Sequence, residues 1–186
     1  DDANLNGRLE KEEKKIEGVE IKVNGRRAIT NKEGEATFLS VSPGGYKAIL
    51  NTVSVPSNYL PSPPIEKSFS ISKGEIVELW FPLNLAGSIK GSVFFDLDRD
   101  GIRGPEEKGV PNIFLYWDHL ITITDSDGNF IIERISPGKQ VVKISIESLP
   151  EGYVPTTPAS VEGDVPAGQT IEVNFGAGPR EIEFIE

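Results

Sequence analysis

The chain has 186 residues, of which 37% are hydrophobic, and it contains 19 glycines and 14 prolines. This proportion of Gly and Pro favours many short elements over long helices. A net charge of −10 excludes nucleic acid and anionic membrane surfaces as partners, because both are recognised through basic patches. No run approaches the roughly 20 consecutive apolar residues of a membrane span.

The chain has no cysteine and a single histidine, His119. Disulfides, thiolate metal sites and cysteine nucleophiles are therefore excluded. Because His119 has no second imidazole or thiol with which to share a metal, we expect it to be an exposed turn residue. We predict that the protein is not an enzyme and has no catalytic residue. The absence of methionine indicates a mature chain or a fragment of a longer one.

In residues 1–86, short β-branched or alternating runs are bounded by turn residues. They predict strands at residues 5–9, 18–23, 27–30, 35–40, 45–50, 66–71 and 75–82. Asn24-Gly25 indicates a tight hairpin, because a type I′ turn needs positive φ at both central positions. Trp80 lies on an alternating run, and we expect it in the core.

Residues 87–186 repeat this organisation, with strands predicted at residues 87–95, 112–117, 120–124, 129–134, 139–147, 158–162 and 169–175. Residues 28–34 match residues 122–128, and Ser42-Pro43-Gly44 matches Ser136-Pro137-Gly138, at one offset of 94. About seven short strands in each copy indicate a sandwich. We predict an all-β chain of two tandem seven-stranded antiparallel β-sandwiches, with domains at 1–86 and 87–186.

Upstream of these matches the register of the repeat shifts. Gly18-Val19 aligns with Gly109-Val110 at an offset of 91, and Gly7 aligns with Gly91 at an offset of 84. The second copy is therefore predicted to carry an insertion of about seven residues before Gly109. The charge is also uneven, with a net −1 in residues 1–86 and −9 in residues 87–186. The acidic excess belongs to the second copy.

An acidic loop lies in the predicted insertion. Carboxylates occupy its positions 1, 3, 5 and 12, namely Asp96, Asp98, Asp100 and Glu107. Gly101 takes position 6, and Ile102 at position 7 offers a backbone carbonyl, so the loop matches the calcium-binding pattern of an EF-hand. The alternative is a solvated loop of Asx turns. We predict a structural Ca²⁺ site formed by Asp96, Asp98, Asp100, Ile102 and Glu107.

A second acidic turn, Asp125-Ser126-Asp127-Gly128, has the counterpart Asn31-Lys32-Glu33-Gly34 in the first copy. Because the same turn recurs where no metal loop is expected, we interpret it as a strand connection. A contribution of Asp125 and Asp127 to a calcium site stays open.

The second copy resembles the B-type repeats of serine-aspartate-rich bacterial surface adhesins. The resemblance rests on residues 91–102, Glu107-Lys108-Gly109-Val110-Pro111, Ser136-Pro137-Gly138 and Leu149-Pro150-x-Gly152-Tyr153. It covers residues 87–176 and implies a prealbumin-like, Ig-like sandwich without catalytic activity. The first copy matches only the later half of the pattern and resembles carboxypeptidase regulatory-like or collagen-adhesin B-type modules without a metal loop.

Some relatives form a Lys–Asn cross-link assisted by a buried Glu. Glu147 resembles that Glu and Asn174 is a possible acceptor, but Lys90 lies too early to be the matching lysine. We do not expect the bond.

The resemblance implies a structural stalk or spacer of a secreted or cell-surface bacterial protein, stiffened by calcium in the second copy. We expect an extracellular or cell-surface monomer, with calcium and other surface proteins or glycans as partners. The alternative is a carbohydrate- or protein-binding accessory module of a larger surface protein or secreted enzyme. Trp80, Tyr116 and Trp117 are the candidate contact residues for that role.

Overall fold

The computed structural model describes residues 1–180, and the chain divides into two units, Asp1–Ala86 and Gly87–Glu186. Nearly all regular structure is β-strand, which confirms the predicted fold class. The only helices in the described part are two single 3-10 turns, Thr52–Ser54 and Ile146–Ser148. No helix among residues 1–180 is long and apolar enough to cross a membrane.

The first unit contains six strands: β1 (Glu20–Val23), β2 (Arg26–Ile29), β3 (Gly44–Leu50), β4 (Tyr59–Pro61), β5 (Glu66–Ile71) and β6 (Leu83–Leu85). One sheet has the order β2-β1-β3-β5, and β4 pairs with β6 in a second, two-stranded sheet. The β1–β2 hairpin turns at Asn24 and Gly25, whose φ angles are 48° and 76°. These are the positive values that the Asn-Gly pair predicts.

The second unit contains eight strands: β7 (Gly87–Phe95), β8 (Phe114–Trp117), β9 (Leu120–Ile123), β10 (Asn129–Ile135), β11 (Gly138–Ile144), β12 (Tyr153–Pro155), β13 (Ser160–Val165) and β14 (Thr170–Pro179). They form two four-stranded sheets of order β10-β7-β14-β12 and β13-β11-β8-β9. The β14–β7 pair is parallel, whereas the other ladders are antiparallel.

Strand β7 is an inner strand of its sheet, and it is largely buried because side chains such as Ile89 and Val93 pack into the core. At its centre, a Cβ on Gly91 would lie 1.7 Å from the Val173 carbonyl oxygen of β14. Only glycine permits this approach of the two strands.

Each unit has its own apolar core, built from the inward residues of alternating strands. The core of the first unit includes Val19, Ile21, Leu50, Tyr59 and Leu83. The core of the second unit is larger and includes Ile89, Val93, Leu115, Phe130, Val142 and Phe175.

The strand count differs from seven in both units. The predicted strands at 5–9, 35–40 and 75–82 of the first unit are not hydrogen-bonded strands. At the offset of 94, residues 35–40 and 75–82 correspond to parts of β10 and β14, which β7 joins in the second unit. Neither segment forms a strand ladder among the described residues.

Candidate metal site

The acidic loop begins where β7 ends. The Asp96 side chain is 0% exposed, and its backbone N–H donates to the Ala177 carbonyl of β14 at 3.0 Å. The first position of the loop is therefore fixed to the sheet rather than free in solvent.

The Asp96 carboxylate has one satisfied and one unsatisfied oxygen. Oδ2 accepts hydrogen bonds from the Thr156 hydroxyl and from the Gly101 N–H, the latter at 3.2 Å. Oδ1 is buried and has no hydrogen-bond partner within residues 1–180. A buried carboxylate oxygen without a donor is strongly unfavourable, and a cation would supply the missing partner.

Three of the predicted carboxylates converge. Oxygens of Asp96, Asp98 and Glu107 lie within 4.8 Å of one another, a grouping that could hold a metal ion. Glu107 is held over the loop because its two oxygens accept from the N–H groups of Leu97 at 2.9 Å and Gly104 at 2.8 Å.

The two other predicted ligands lie outside that group of three. Asp100 Oδ1 accepts from the Ile102 N–H at 2.7 Å, and the Asp100 N–H donates to Asp98 Oδ1 at 3.2 Å. The Ile102 side chain is a hydrocarbon without a ligand atom, so this residue could contribute only through its backbone carbonyl.

Two residues that the sequence analysis did not single out support the loop. Thr156 hydrogen-bonds to Asp96 across 60 positions of sequence, and Arg103 bridges the loop to the Asp125 turn. Arg103 donates to the Glu107 carbonyl at 3.3 Å, to Asn129 Oδ1 at 3.3 Å and to the Asp127 carbonyl at 3.2 Å. No local pattern identifies either role, because folding brings Thr156 to the loop and the Asp125 turn to Arg103.

The Asp125 turn is built as an Asx turn. Asp125 Oδ1 accepts from the N–H groups of Asp127 at 2.9 Å and Asn129 at 2.8 Å. Its counterpart Asn31 accepts in the same way from Glu33 and Glu35. Neither Asp125 nor Asp127 belongs to the carboxylate group found among the described residues.

The acidic loop is not an insertion, and the predicted shift of register was wrong. Asp2 is 3% exposed and its N–H donates to the Leu83 carbonyl at 2.8 Å, as that of Asp96 does to Ala177. Asp2 and Leu83 lie 94 residues before Asp96 and Ala177, respectively. Residues 2–13 therefore form the counterpart of residues 96–107.

The next segment keeps the same offset. Thr30 Oγ1 donates to the Ile16 carbonyl and accepts from Val19, and Thr124 does the same with Val110 and Ile113. Gly18 thus corresponds to Asn112, and both have positive φ, 86° and 61°. The similarity of Gly18-Val19 to Gly109-Val110 was misleading, because a positive-φ position accepts either Gly or Asn.

The groups considered for the Lys–Asn cross-link do not assemble. Glu147 is exposed on the 3-10 turn Ile146–Ser148, so it does not supply a buried carboxyl group. Lys90 is also exposed, with its Nζ 4.0 Å from Glu172. The Asn174 amide is hydrogen-bonded to Ser92 and Glu172.

The candidate contact residues Trp80, Tyr116 and Trp117 differ in exposure. Trp80 is 48% exposed rather than in the core, and Tyr116 is 41% exposed. Trp117 packs against the core of the second unit and donates its indole N–H to Gln140 Oε1 at 2.6 Å. His119 is exposed in the β8–β9 turn, beside Asp118.

The fold defines two tandem immunoglobulin-like β-sandwich modules. The chain is 26% identical over 189 residues to serine-aspartate repeat-containing protein F of Staphylococcus epidermidis, covering 83% of this chain and 11% of that protein. It is 38% identical over 93 residues to Colossin-B of Dictyostelium discoideum, covering 42% of this chain and 2% of that protein. No family model matches the chain.

A solved structure supports the same fold. The minor pilin GBS52 of Streptococcus agalactiae matches 100% of this chain and 94% of that chain, with a TM-score of 0.50 and 16% identity. The chain spans only a small part of its curated relatives, 11% and 2% of their lengths. The chain therefore shares its fold with a minor pilin and is similar in sequence to part of a serine-aspartate repeat-containing protein.

Proposed function

We propose that the chain is a structural stalk or spacer of a surface protein, and that Ca²⁺ bound at Asp96, Asp98 and Glu107 stiffens its second unit. The observation that carries the calcium proposal is the buried, unpartnered Oδ1 of Asp96. It lies in a group of three converging carboxylates that has only oxygen ligands to offer.

The donor set favours calcium among the common cations. Ca²⁺ accepts six to eight oxygen ligands in a flexible arrangement, whereas Mg²⁺ demands near-ideal octahedral geometry. The loop offers carboxylates and backbone carbonyls on exposed, irregular backbone, and no imidazole or thiol belongs to the group of possible metal ligands found among residues 1–180. Zinc and other transition metals prefer those nitrogen and sulfur ligands.

A bound ion would act at one end of the β10-β7-β14-β12 sheet. Asp96 follows β7 and is hydrogen-bonded to β14, while Thr156 follows β12. An ion that joins Asp96 to Asp98 and Glu107 would tie the irregular loop to three strands of one sheet. Because calcium would bind only the folded loop, it would raise the resistance of this unit to unfolding.

Force spectroscopy on the full chain tests the proposal. Pulled from its two ends, the chain should give one unfolding event per unit, and Leu115→Ala identifies the event of the second unit by weakening its buried core. That event should occur at higher force in Ca²⁺ than in EDTA. The double variant Asp98→Ala, Asp100→Ala should show the EDTA force under both conditions.

Asp125→Asn is the matched control for this experiment. It removes one acidic charge near the loop but keeps the Asx acceptor, as Asn31 does in the first unit. It should respond to Ca²⁺ like the wild type. If the second unit of the wild type unfolds at equal force in Ca²⁺ and EDTA, calcium stiffening is wrong.

A binding role is the second candidate, and the exposed apolar residues of β9 favour it. Leu120, Ile121 and Ile123 are 50%, 62% and 47% exposed. Selective retention of a glycan or surface protein that is lost in Ile121→Ser but kept in Trp80→Ala would support a binding module. No retention by the wild type would leave only the structural role.

A further inference from the structure

The first unit contains a loop that repeats the acidic loop position by position. Asp2, Asn4, Asn6, Gly7 and Glu13 stand where the second unit has Asp96, Asp98, Asp100, Gly101 and Glu107. The match is less evident in the sequence than the acidic loop because amides replace two of the carboxylates. Asn is nevertheless accepted at positions 3 and 5 of such loops, since its side-chain oxygen can ligate a cation.

The backbone of this loop has the same form as its counterpart. Leu5 and Arg99 both have φ of 62°, and Gly7 and Gly101 have φ of 71° and 78°. Asp2 accepts hydrogen bonds from the N–H groups of Asn6 and Gly7, both at 2.9 Å. The carboxylate at position 1 is therefore buried and held by the loop, as Asp96 is in the second unit.

Glu13 supplies an independent indication of a missing ligand. Its side chain is 9% exposed, and Oε2 accepts from the Glu10 N–H at 2.9 Å inside the loop. Its other oxygen, Oε1, is buried and has no hydrogen-bond partner in the described part of the chain. A solvated acidic loop would leave this oxygen in water, whereas a cation within the loop would bind it.

The two loops differ in charge. The four ligand-type side chains of the second unit are all carboxylates, but those of the first unit are Asp2, Asn4, Asn6 and Glu13. A third carboxylate, Glu10, accepts from the amide nitrogens of Asn4 and Asn6 at 2.7 and 2.9 Å, which fixes both amides in the loop. Calcium affinity in such loops rises with the number of charged ligands.

We propose that residues 2–13 form a second cation site, which takes Ca²⁺ through Asp2, the amide oxygens of Asn4 and Asn6, and Glu13. The site is weaker than the one at Asp96 by roughly tenfold or more, because it has fewer charged ligands. The two units therefore bind calcium in two steps as its concentration rises. This site stands in a separate unit and does not depend on the one proposed for residues 96–107.

Calorimetric titration of the chelator-stripped full chain with CaCl₂ tests the proposal. Glu13→Gln keeps the size and the Oε2 acceptor role of the side chain but removes its charge, so the weaker binding event should disappear. Glu12→Gln is the matched control, because Glu12 is the exposed neighbour of Glu13 and should leave the titration unchanged. Glu107→Gln should remove the tighter event and keep the weaker one.

A gain-of-affinity variant guards against loss of folding. The triple variant Asn4→Asp, Asn6→Asp, Glu10→Gln supplies the ligand charges of the second unit. Its Glu10→Gln change replaces the carboxylate that accepts from both amides, which would otherwise repel the two new carboxylates. The variant should strengthen the weaker event by roughly tenfold, since it adds two charged ligands. Hydrogen exchange should show Ca²⁺-dependent protection of residues 2–13 in the wild type and in Glu107→Gln, but not in Glu13→Gln.

The outcomes separate the two sites. If Glu13→Gln titrates like the wild type and residues 2–13 gain no protection, the first-unit site is wrong, whatever Glu107→Gln shows. If Glu107→Gln titrates like the wild type while Glu13→Gln loses the weaker event, the site at Asp96 is wrong and the first-unit site stands.

Discussion

Replacement of Asp96 by Asn separates a calcium ligand from an ordinary buried polar residue. Asn is isosteric, and its amide oxygen can keep the hydrogen bonds that Oδ2 receives from Thr156 and Gly101. The change replaces the other oxygen, Oδ1, which has no partner in the part of the chain that the structure describes. It therefore removes the proposed metal contact and little else.

The size of the effect follows from linkage. At a free Ca²⁺ concentration of about 100 times Kd, binding to the native state stabilises it by about 2.7 kcal/mol. For a domain of about 100 residues, 1 kcal/mol shifts Tm by roughly 4 °C or slightly more, so calcium should raise the Tm of the second unit by about 10 °C or more. In EDTA, Asp96→Asn should melt at or above the wild-type temperature, because an unpartnered buried charge has been removed.

Calorimetric melting of the full chain in Ca²⁺ and in EDTA compares the Tm of the wild type with that of Asp96→Asn under both conditions. The wild type should be the more stable protein in Ca²⁺, and Asp96→Asn should be insensitive to the ion. Asp125→Asn again serves as the control and should keep the full response. The reasoning would be refuted if Asp96→Asn lowered the Tm of the second unit by the same amount in EDTA and in Ca²⁺. Asp96 would then act only through its hydrogen bonds.

Three further substitutions test the packing around Asp96, the hydrogen bonds of Thr124 and the core of the second unit. Gly176→Ala should lower both calcium affinity and the Tm of the second unit, because its Cβ would lie 2.7 Å from Asp96 Oδ2, whereas Gly45→Ala should be tolerated since nothing lies within 4 Å. Thr124→Val should cost about 1–3 kcal/mol in a denaturant titration, because it leaves two buried backbone groups without their partner. Leu115→Ala, at a fully buried core position, should cost about 2–5 kcal/mol and leave the first unit unchanged.

Most strands of both units could be predicted from the sequence because they are short β-branched or alternating runs between turn residues. A period-two pattern with Gly, Asn and Pro between the runs specifies such strands locally. The predicted runs at 112–117, 120–124 and 129–134 overlap β8, β9 and β10 closely. The runs at 35–40 and 75–82 were wrong as strands, because a strand also needs a hydrogen-bonded neighbour that the pattern of one segment does not reveal.

The candidate site could likewise be predicted only in part from the sequence. The sequence by itself determined the all-β class, the repeat and the order of ligand types from Asp96 to Glu107, since the spacing of carboxylates in a short loop is a local property. Only the tertiary structure decided that Asp96 Oδ1 and Glu13 Oε1 are buried without partners, and that Thr156 and Arg103 support the loop. Burial and hydrogen-bond satisfaction depend on residues that are distant in sequence. The equivalence of residues 2–13 to residues 96–107 likewise became evident from distant contacts, the hydrogen bonds of Asp2 to Leu83 and of Asp96 to Ala177.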